Sequence, residues 1–188
     1  MTPQRNLRSD AAHNRHRILV SAERIFRESG PNASLDSIAV DAGVGNATLY
    51  RHFATRLELR HAVLTSRIAE VEEFLTELEA RPEADAWADV EKYVRFLAAS
   101  PDNTFVDVLV AAPAETDEIG RYRQRVRVRV ENLLSRARAS GVLRSGYSVD
   151  DMNVFLFAHT KAAFSPHIDR AAADRLLGDY LAGIRQIA

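Results

Sequence analysis

Apolar residues return every three or four positions along almost the whole of this 188-residue chain, and that periodicity confines the fold to packed helices. Residues 15–29 place Ile18, Leu19, Ala22, Ile25 and Phe26 on one face, and Gly30-Pro31 ends the run. Ser34 is placed to cap a second helix with apolar positions Leu35, Ile38 and Ala39. A third begins near Gly45 or Asn46. Residues 56–79 carry Leu64, Ile68, Val71, Leu75 and Leu78 in one stripe, closed by Pro82. The pattern then predicts helices over 84–99, 103–112, 116–139, 149–164 and 169–187, about nine in all. Gly141 is a plausible stop for the helix over 116–139. One stretch argues otherwise: Val126-Arg127-Val128-Arg129-Val130 alternates as a half-buried strand would. The stripe through Ile119, Tyr122, Val126, Val130, Leu133 and Ala137 keeps helical spacing across it, and no partner strand is evident. The fold class is all-α.

Composition removes several functions. There is no cysteine, which excludes disulfides and thiolate metal sites. The polar N-terminal segment lacks the apolar core of a signal peptide, and no apolar run approaches membrane-spanning length; a cytoplasmic protein with no membrane partner is expected. Phosphate-binding glycine loops, nucleophile elbows and HExxH motifs are missing. Asp150-Asp151 sits at a helix start, where acidic residues usually serve the helix dipole. The chain is therefore not expected to be an enzyme, nor to carry a metal or cofactor. A helical enzyme or an interaction module remains the alternative. Residues 1–60 hold nine arginines against six acidic residues, whereas the remainder is net acidic. A basic head on an acidic body points weakly to a polyanionic partner for the head.

The segment from Ser34 to Phe53, SLDSIAVDAGVGNATLYRHF, carries the functional information. Ala39 is small enough to let a second helix approach. Gly43 can take the positive φ that ends the first helix. Leu49, six positions later, returns an apolar side chain to a shared core. That spacing fits a helix-turn-helix. The second helix then presents Asn46, Ala47, Thr48, Tyr50, Arg51 and His52. A surface selected only for stability would favour Glu, Lys and Ala. Asn and Arg can pair with base edges, and Thr and Tyr can reach phosphates. Asn46 is the residue expected to set sequence preference. Phe53 reads as a core aromatic. Arg5 and Arg8 suit either a minor-groove arm or a loose tail.

Taken together, Ile25-Phe26, Ser34 leading into Ile38-Ala39, Ala42-Gly43-Val44, Thr48-Leu49-Tyr50, His52-Phe53 and Thr55-Arg56 leading into Glu58-Leu59 resemble the DNA-binding domain of the tetracycline-repressor (TetR) family. The resemblance covers about residues 15–65. It implies a three-helix DNA-binding head over residues 1–55 and a helical ligand-binding and dimerisation body over 56–188. It also implies that Ser34, Asn46, Thr48, Tyr50, His52 and Arg56 face duplex DNA, mostly its phosphates. Two positions depart from the family pattern. Gly45 stands where a serine commonly caps the third helix, and Asp41 where a basic residue is common.

The body reads less sharply. Val71, Leu75, Trp87, Phe96, Phe105, Tyr122 and His159 are candidates to line a cavity for a small hydrophobic or amphipathic effector, with His159 or an arginine as polar anchor. Core packing accounts for the aromatics equally well. Arg121, Arg123, Arg125, Arg127 and Arg129 read as a solvated helix surface, with Asp117 four positions before Arg121. The last two helices carry two apolar stripes. Met152, Phe155, Leu156, His159 and Ala163 form one; Leu176, Leu177, Tyr180, Leu181 and Ile184 form the other. Either these residues meet a second copy in a four-helix bundle, or they close the chain's own core. The expected whole is a DNA-binding, ligand-responsive repressor acting as a homodimer on an operator.

Overall fold

A computed structural model describes residues 3–29, 32–81, 85–99, 117–165 and 167–186. Eight helices occur among the described residues: α1 (Pro3–Ser29), α2 (Leu35–Asp41), α3 (Asn46–His52), α4 (Arg56–Glu79), α5 (Ala86–Ala98), α6 (Asp117–Ala139), α7 (Val149–Ala163) and α8 (Arg170–Ile184). The helix predicted over 103–112, and Phe105 with it, lies outside the described residues. The chain divides into two compact units, 1–67 and 68–188, with the division inside α4.

In the first unit Ile18, Ala22 and Phe26 of α1 meet Ile38 and Ala39 of α2, Leu49 of α3 and Leu59 and Val63 of α4 in one core. Leu49 is the single buried residue of α3, so one apolar anchor holds the helix and leaves its other faces outward. The first helix begins at Pro3, well ahead of residue 15 where its apolar periodicity starts. Proline suits the first helical turn, where its missing N–H bonds nothing. The backbone of Arg5 and Arg8 is therefore helical, not the loose tail that one of the two readings predicts.

The second unit packs α5 through α8 with the later turns of α4. Trp87, Val90, Val94 and Leu97 face inward from α5, and Val126, Val130, Leu134 and Ala137 from α6. Val128, between the two buried valines, is 49% exposed. That is a helix's periodicity, and α6 runs unbroken through the alternating stretch. Gly141 at φ +71 turns the chain out of α6, with the Val142 N–H bonded to the Ala137 carbonyl at 3.1 Å. Helix α7 opens with a capping box: Ser148 and Asp151 each bond the other's backbone N–H. An isolated antiparallel bridge joins Leu143 to Arg185, through Arg144 N–H to the Ile184 carbonyl and Gln186 N–H to the Val142 carbonyl, both 2.9 Å.

The arginines of α6 lie on a solvated surface, with Arg121, Arg125 and Arg127 exposed, and three of them also form ion pairs there. Arg125 pairs with Glu72 at 3.0 Å, and Arg127 holds Asp150 with two bonds of 2.6 and 2.9 Å. Arg129 donates to Glu79, to the Thr76 hydroxyl and to the Glu72 carbonyl. Alternate positions on a helix point in different directions, so three arginines reach two different neighbouring helices. Arg127 in turn holds the Asp150 carboxyl below the usual carboxylate range, and bonds from Ser148 do the same for Asp151. Both aspartates therefore have structural roles at the start of α7.

Candidate nucleic-acid interface

Helices α2 and α3 are joined by a turn that only particular residues permit. Gly43 lies at φ +61, in the left-handed region. Its N–H bonds the Val40 carbonyl at 3.0 Å, and the Val44 N–H bonds the Ala39 carbonyl at 3.0 Å. These two bonds end α2 as a Schellman motif. The Arg17 guanidinium of α1 donates to the Gly43 carbonyl at 3.2 Å and occupies the space a Cβ would take. The turn is thus fixed by backbone geometry and by a cation from a third helix.

Polar contacts brace both ends of α2. Ser34 caps its start, the hydroxyl oxygen accepting from the Asp36 N–H at 3.2 Å. Asp36 accepts from the Asn46 side-chain amide at 2.8 Å, linking the first turn of α2 to the first residue of α3. At the other end Asp41 pairs with Arg24, which also holds Glu28 at 3.1 Å. The negative charge at position 41, a departure from the family pattern, is met by a cation of α1. Gly45 caps α3 without a side-chain bond. Its carbonyl accepts from Thr48 and Leu49, and a Cβ there would meet nothing.

The predicted DNA-facing residues lie where the helix-turn-helix leaves them outward. Ser34, Asn46, Ala47, Tyr50, Arg51 and Arg56 are exposed, and Thr48 and His52 half-buried. Tyr50 is 48% exposed, against 3% for Phe53, the core aromatic. Arg15 lies over the Phe53 ring at 5.2 Å. At the start of α4 the Thr55 hydroxyl accepts from the Glu58 N–H at 3.1 Å, and Glu58 accepts from the Ala54 N–H at 2.8 Å. This places Arg56 in an exposed first turn. Neither the Asp36–Asn46 link nor the Arg17 brace is visible in the sequence pattern, since each joins residues on different helices.

Of the predicted effector-lining residues, Phe105 lies outside the described residues. Val71 and Leu75 are core residues of α4. Trp87 is buried with Arg185 over its ring, Phe96 stacks on Phe74 at 4.2 Å, and Tyr122 is covered by Arg125 at 4.1 Å. Among the described residues a cavity of about 220 Å³ is lined by Tyr93, Arg123, Gln124, Arg127, Val130 and Asn153. Its lining mixes polar and apolar groups, unlike the mostly apolar one predicted. His159 is 1% exposed and stacks on Phe155, with neither ring nitrogen hydrogen-bonded. Burial and nearby Arg170 lower its pKa. It borders a separate cavity of about 190 Å³ with Arg95, Arg170 and Asp174.

Most of the predicted subunit-contact residues are turned inward. Met152, Leu156, Ala163, Leu177, Leu181 and Ile184 are all buried within the single chain. Phe155 and Tyr180 are half-buried and stack on each other at 3.4 Å. The two stripes close the chain's own core, because α7 and α8 turn them toward each other and toward α5. On α7 and α8 the exposed apolar side chains are Val154 at 62% and Phe157 at 36%, beside the first stripe, and Leu176 at 49%, a member of the second that stays outward.

A braced helix-turn-helix, with a short third helix held by one leucine, defines the class of helix-turn-helix transcription regulators. Residues 18–63 match the profile of bacterial regulatory proteins of the tetR family, and residues 84–186 that of the transcriptional regulator SbtR-like C-terminal domain. Across nearly its full length the chain resembles a TetR transcriptional regulator from Streptomyces coelicolor, at 32% identity and a TM-score of 0.67, covering 93% of this chain and 99% of that one. A TetR regulatory protein from Mycobacterium vanbaalenii is similar at 26% identity and a TM-score of 0.64, over 95% and 99% of the two chains. The chain belongs to the TetR family of transcriptional regulators. An HTH-type transcriptional regulator of Staphylococcus aureus is 42% identical over 59 residues, 31% of this chain and 32% of that protein. The chain spans about a third of the length of the curated relatives it matches. Among the described residues no helix is long and apolar enough to cross a membrane.

Proposed function

We propose that the chain is a ligand-responsive repressor that binds a duplex operator through α3 and the residues flanking it, with a head over residues 1–55, a body over 56–188 and a cytoplasmic site of action. The observation that carries this reading is the outward array of Asn46, Tyr50, Arg51 and Arg56 on a turn fixed by Gly43. Tyr50 and Arg56 contact phosphates, so Tyr50→Phe and Arg56→Ala should weaken binding to every duplex alike. Arg56→Ala should also lower the slope of log affinity against log salt by about 0.9, the share of one neutralised phosphate. Fluorescence anisotropy of a labelled duplex across a salt series measures both. An unchanged slope and affinity in Arg56→Ala would remove that residue from the interface.

One short helix reads too few base pairs to select a genomic site, so two heads working about one duplex turn apart, roughly 34–36 Å, are the reading we favour. The exposed apolar side chains Val154 and Phe157 on α7 and Leu176 on α8 supply an apolar contact for a second copy. Gly183, on the same side of α8 as Leu176, has open space above it, room for a helix to approach. Two helices from each copy then form a four-helix bundle about a twofold axis. Phe157→Asp should convert a dimer to monomer in light scattering at micromolar protein. A dimer that survives this change does not use α7 in this way.

Effector binding is assigned to the cavity beside Tyr93 and Asn153, whose mixed lining suits an amphipathic molecule with hydrogen-bonding groups. Arg125 and Arg129 tie α6, which lines that cavity, to residues 72–79 of α4. A ligand that favours the state with weaker operator affinity must itself bind less tightly in the presence of operator, by the same factor.

A further inference from the structure

We propose that Asp36 fixes the orientation of the Asn46 amide so that α3 reads an exocyclic amine, of cytosine or adenine, in the major groove and rejects guanine and thymine at that position. The proposal rests on the DNA-binding reading above and deepens it. A free asparagine side chain has two faces: its NH₂ donates and its carbonyl oxygen accepts. It can therefore meet adenine with both, or turn either one toward another base. Here one of the two N–H groups of that NH₂ is already engaged, so the amide no longer turns over freely. Its nitrogen lies 2.8 Å from Oδ1 of Asp36, and an ionised carboxylate can only accept, so the NH₂ must face α2. The charge on the acceptor strengthens this hydrogen bond relative to a neutral pair. The carbonyl oxygen of Asn46 is then the end directed away from α2, at the exposed first residue of α3.

An acceptor aimed into the major groove has two complements there, the N4 amine of cytosine and the N6 amine of adenine. Guanine offers only O6 and N7, and thymine O4 and a methyl group. Each of these places an acceptor or a methyl group opposite the acceptor of Asn46. Asp36 is thus a positioning residue that acts through Asn46, turning its acceptor end outward and leaving the second N–H of the NH₂ as its one remaining donor. Asp36 is itself held in place, its backbone N–H bonded to the Ser34 cap at 3.2 Å.

The test is selection of randomised duplexes by the full-length protein, followed by affinities for the enriched half-site with each base at each position. The wild-type protein should show one position restricted to cytosine or adenine, with guanine and thymine about tenfold weaker. Asn46→Ala should erase the restriction at that position alone. Asp36→Ala should leave the other positions unchanged and admit guanine at this one, since the released amide can turn its NH₂ toward O6 or N7. A bracing role for Asp36 without orientation would instead weaken all sequences together. Asp36→Asn, which keeps the shape and offers either a donor or an acceptor, should relax the preference part-way and serves if the alanine variant fails to fold. A preference for guanine at the position governed by Asn46, or an unaltered preference in both Asp36 variants, overturns the assignment while leaving DNA binding intact. Failure of the wild-type protein to enrich any duplex overturns the DNA-binding reading together with it.

Discussion

Replacing Arg136 with alanine should destabilise the body by about 3 kcal/mol, the lower end of the range for stripping a partner from a buried ion pair. Asp89 on α5 is fully buried, and its Oδ2 meets Nη2 of Arg136 on α6 at 3.0 Å. Its other oxygen has no hydrogen-bond partner. Among the described residues the arginine supplies the charge-assisted bond that compensates that carboxylate. The lower end applies because the Arg136 side chain is 40% exposed, so water can partly replace it. For a chain of this size the loss corresponds to a melting temperature lower by roughly 6–12 °C. Adding Asp89→Asn should restore a good part of the stability, because a neutral amide is far less costly to leave unpaired than a carboxylate. Calorimetry of the two single variants and the double variant completes the cycle. Melting of Arg136→Ala within a degree of wild type would mean that the pair contributes nothing.

Gly43→Val should cost the head about 2 kcal/mol and reduce duplex affinity by more than tenfold. A left-handed backbone costs an L-residue about 1–2 kcal/mol, with β-branched side chains at the unfavourable end. The added Cβ would also fall on the Arg17 guanidinium, which must leave and give up its bond to the Gly43 carbonyl. Each change acts on the turn that sets the angle between α2 and α3, so DNA affinity should fall further than stability alone requires. Gly45→Ser is the contrast: its backbone is extended at φ −72 and a Cβ there meets open space. A serine can cap α3 at that position, worth a few tenths of a kcal/mol over glycine. Thermal melting and duplex anisotropy on both variants distinguish the two glycines. Wild-type behaviour of Gly43→Val would show that the turn tolerates other geometries.

The parts of this architecture legible in the sequence are those written in local spacing. Ala39, Gly43 and Leu49 mark the helix-turn-helix because a close crossing, a positive φ and a returning apolar side chain are each demanded within a few residues. Val126 and Val130 reveal α6 despite the alternating arginines, because burial follows the i, i+4 pair. What spacing leaves open is the identity of the neighbour. The stripes through Leu156 and Leu181 are apolar whether a second copy or the chain's own α5 covers them. Trp87 and Phe96 are aromatic whether they line a void or fill one. Arg129 finds Glu79, and Asn46 finds Asp36, only once separate helices are brought side by side. The early start of α1 escaped for another reason: a polar helix has no apolar period to announce it.

The bridge between Leu143 and Arg185 bears on the order in which the protein can mature. Residues 142–144 bond residues 184–186, and Arg185 also lies over the Trp87 ring at 5.3 Å. On the ribosome the stretch between the two halves of that bridge takes roughly 2–9 s to make at about 5–20 residues per second. Throughout that interval the edge formed by Val142 and Arg144 has no partner, and α7 and α8 cannot settle. The first unit has every residue of its core, from Ile18 to Val63, long before. The nascent chain therefore spends seconds as a finished head tethered to an unfinished body, and the late segment is the one whose shortening should leave proteases and chaperones the most to act on.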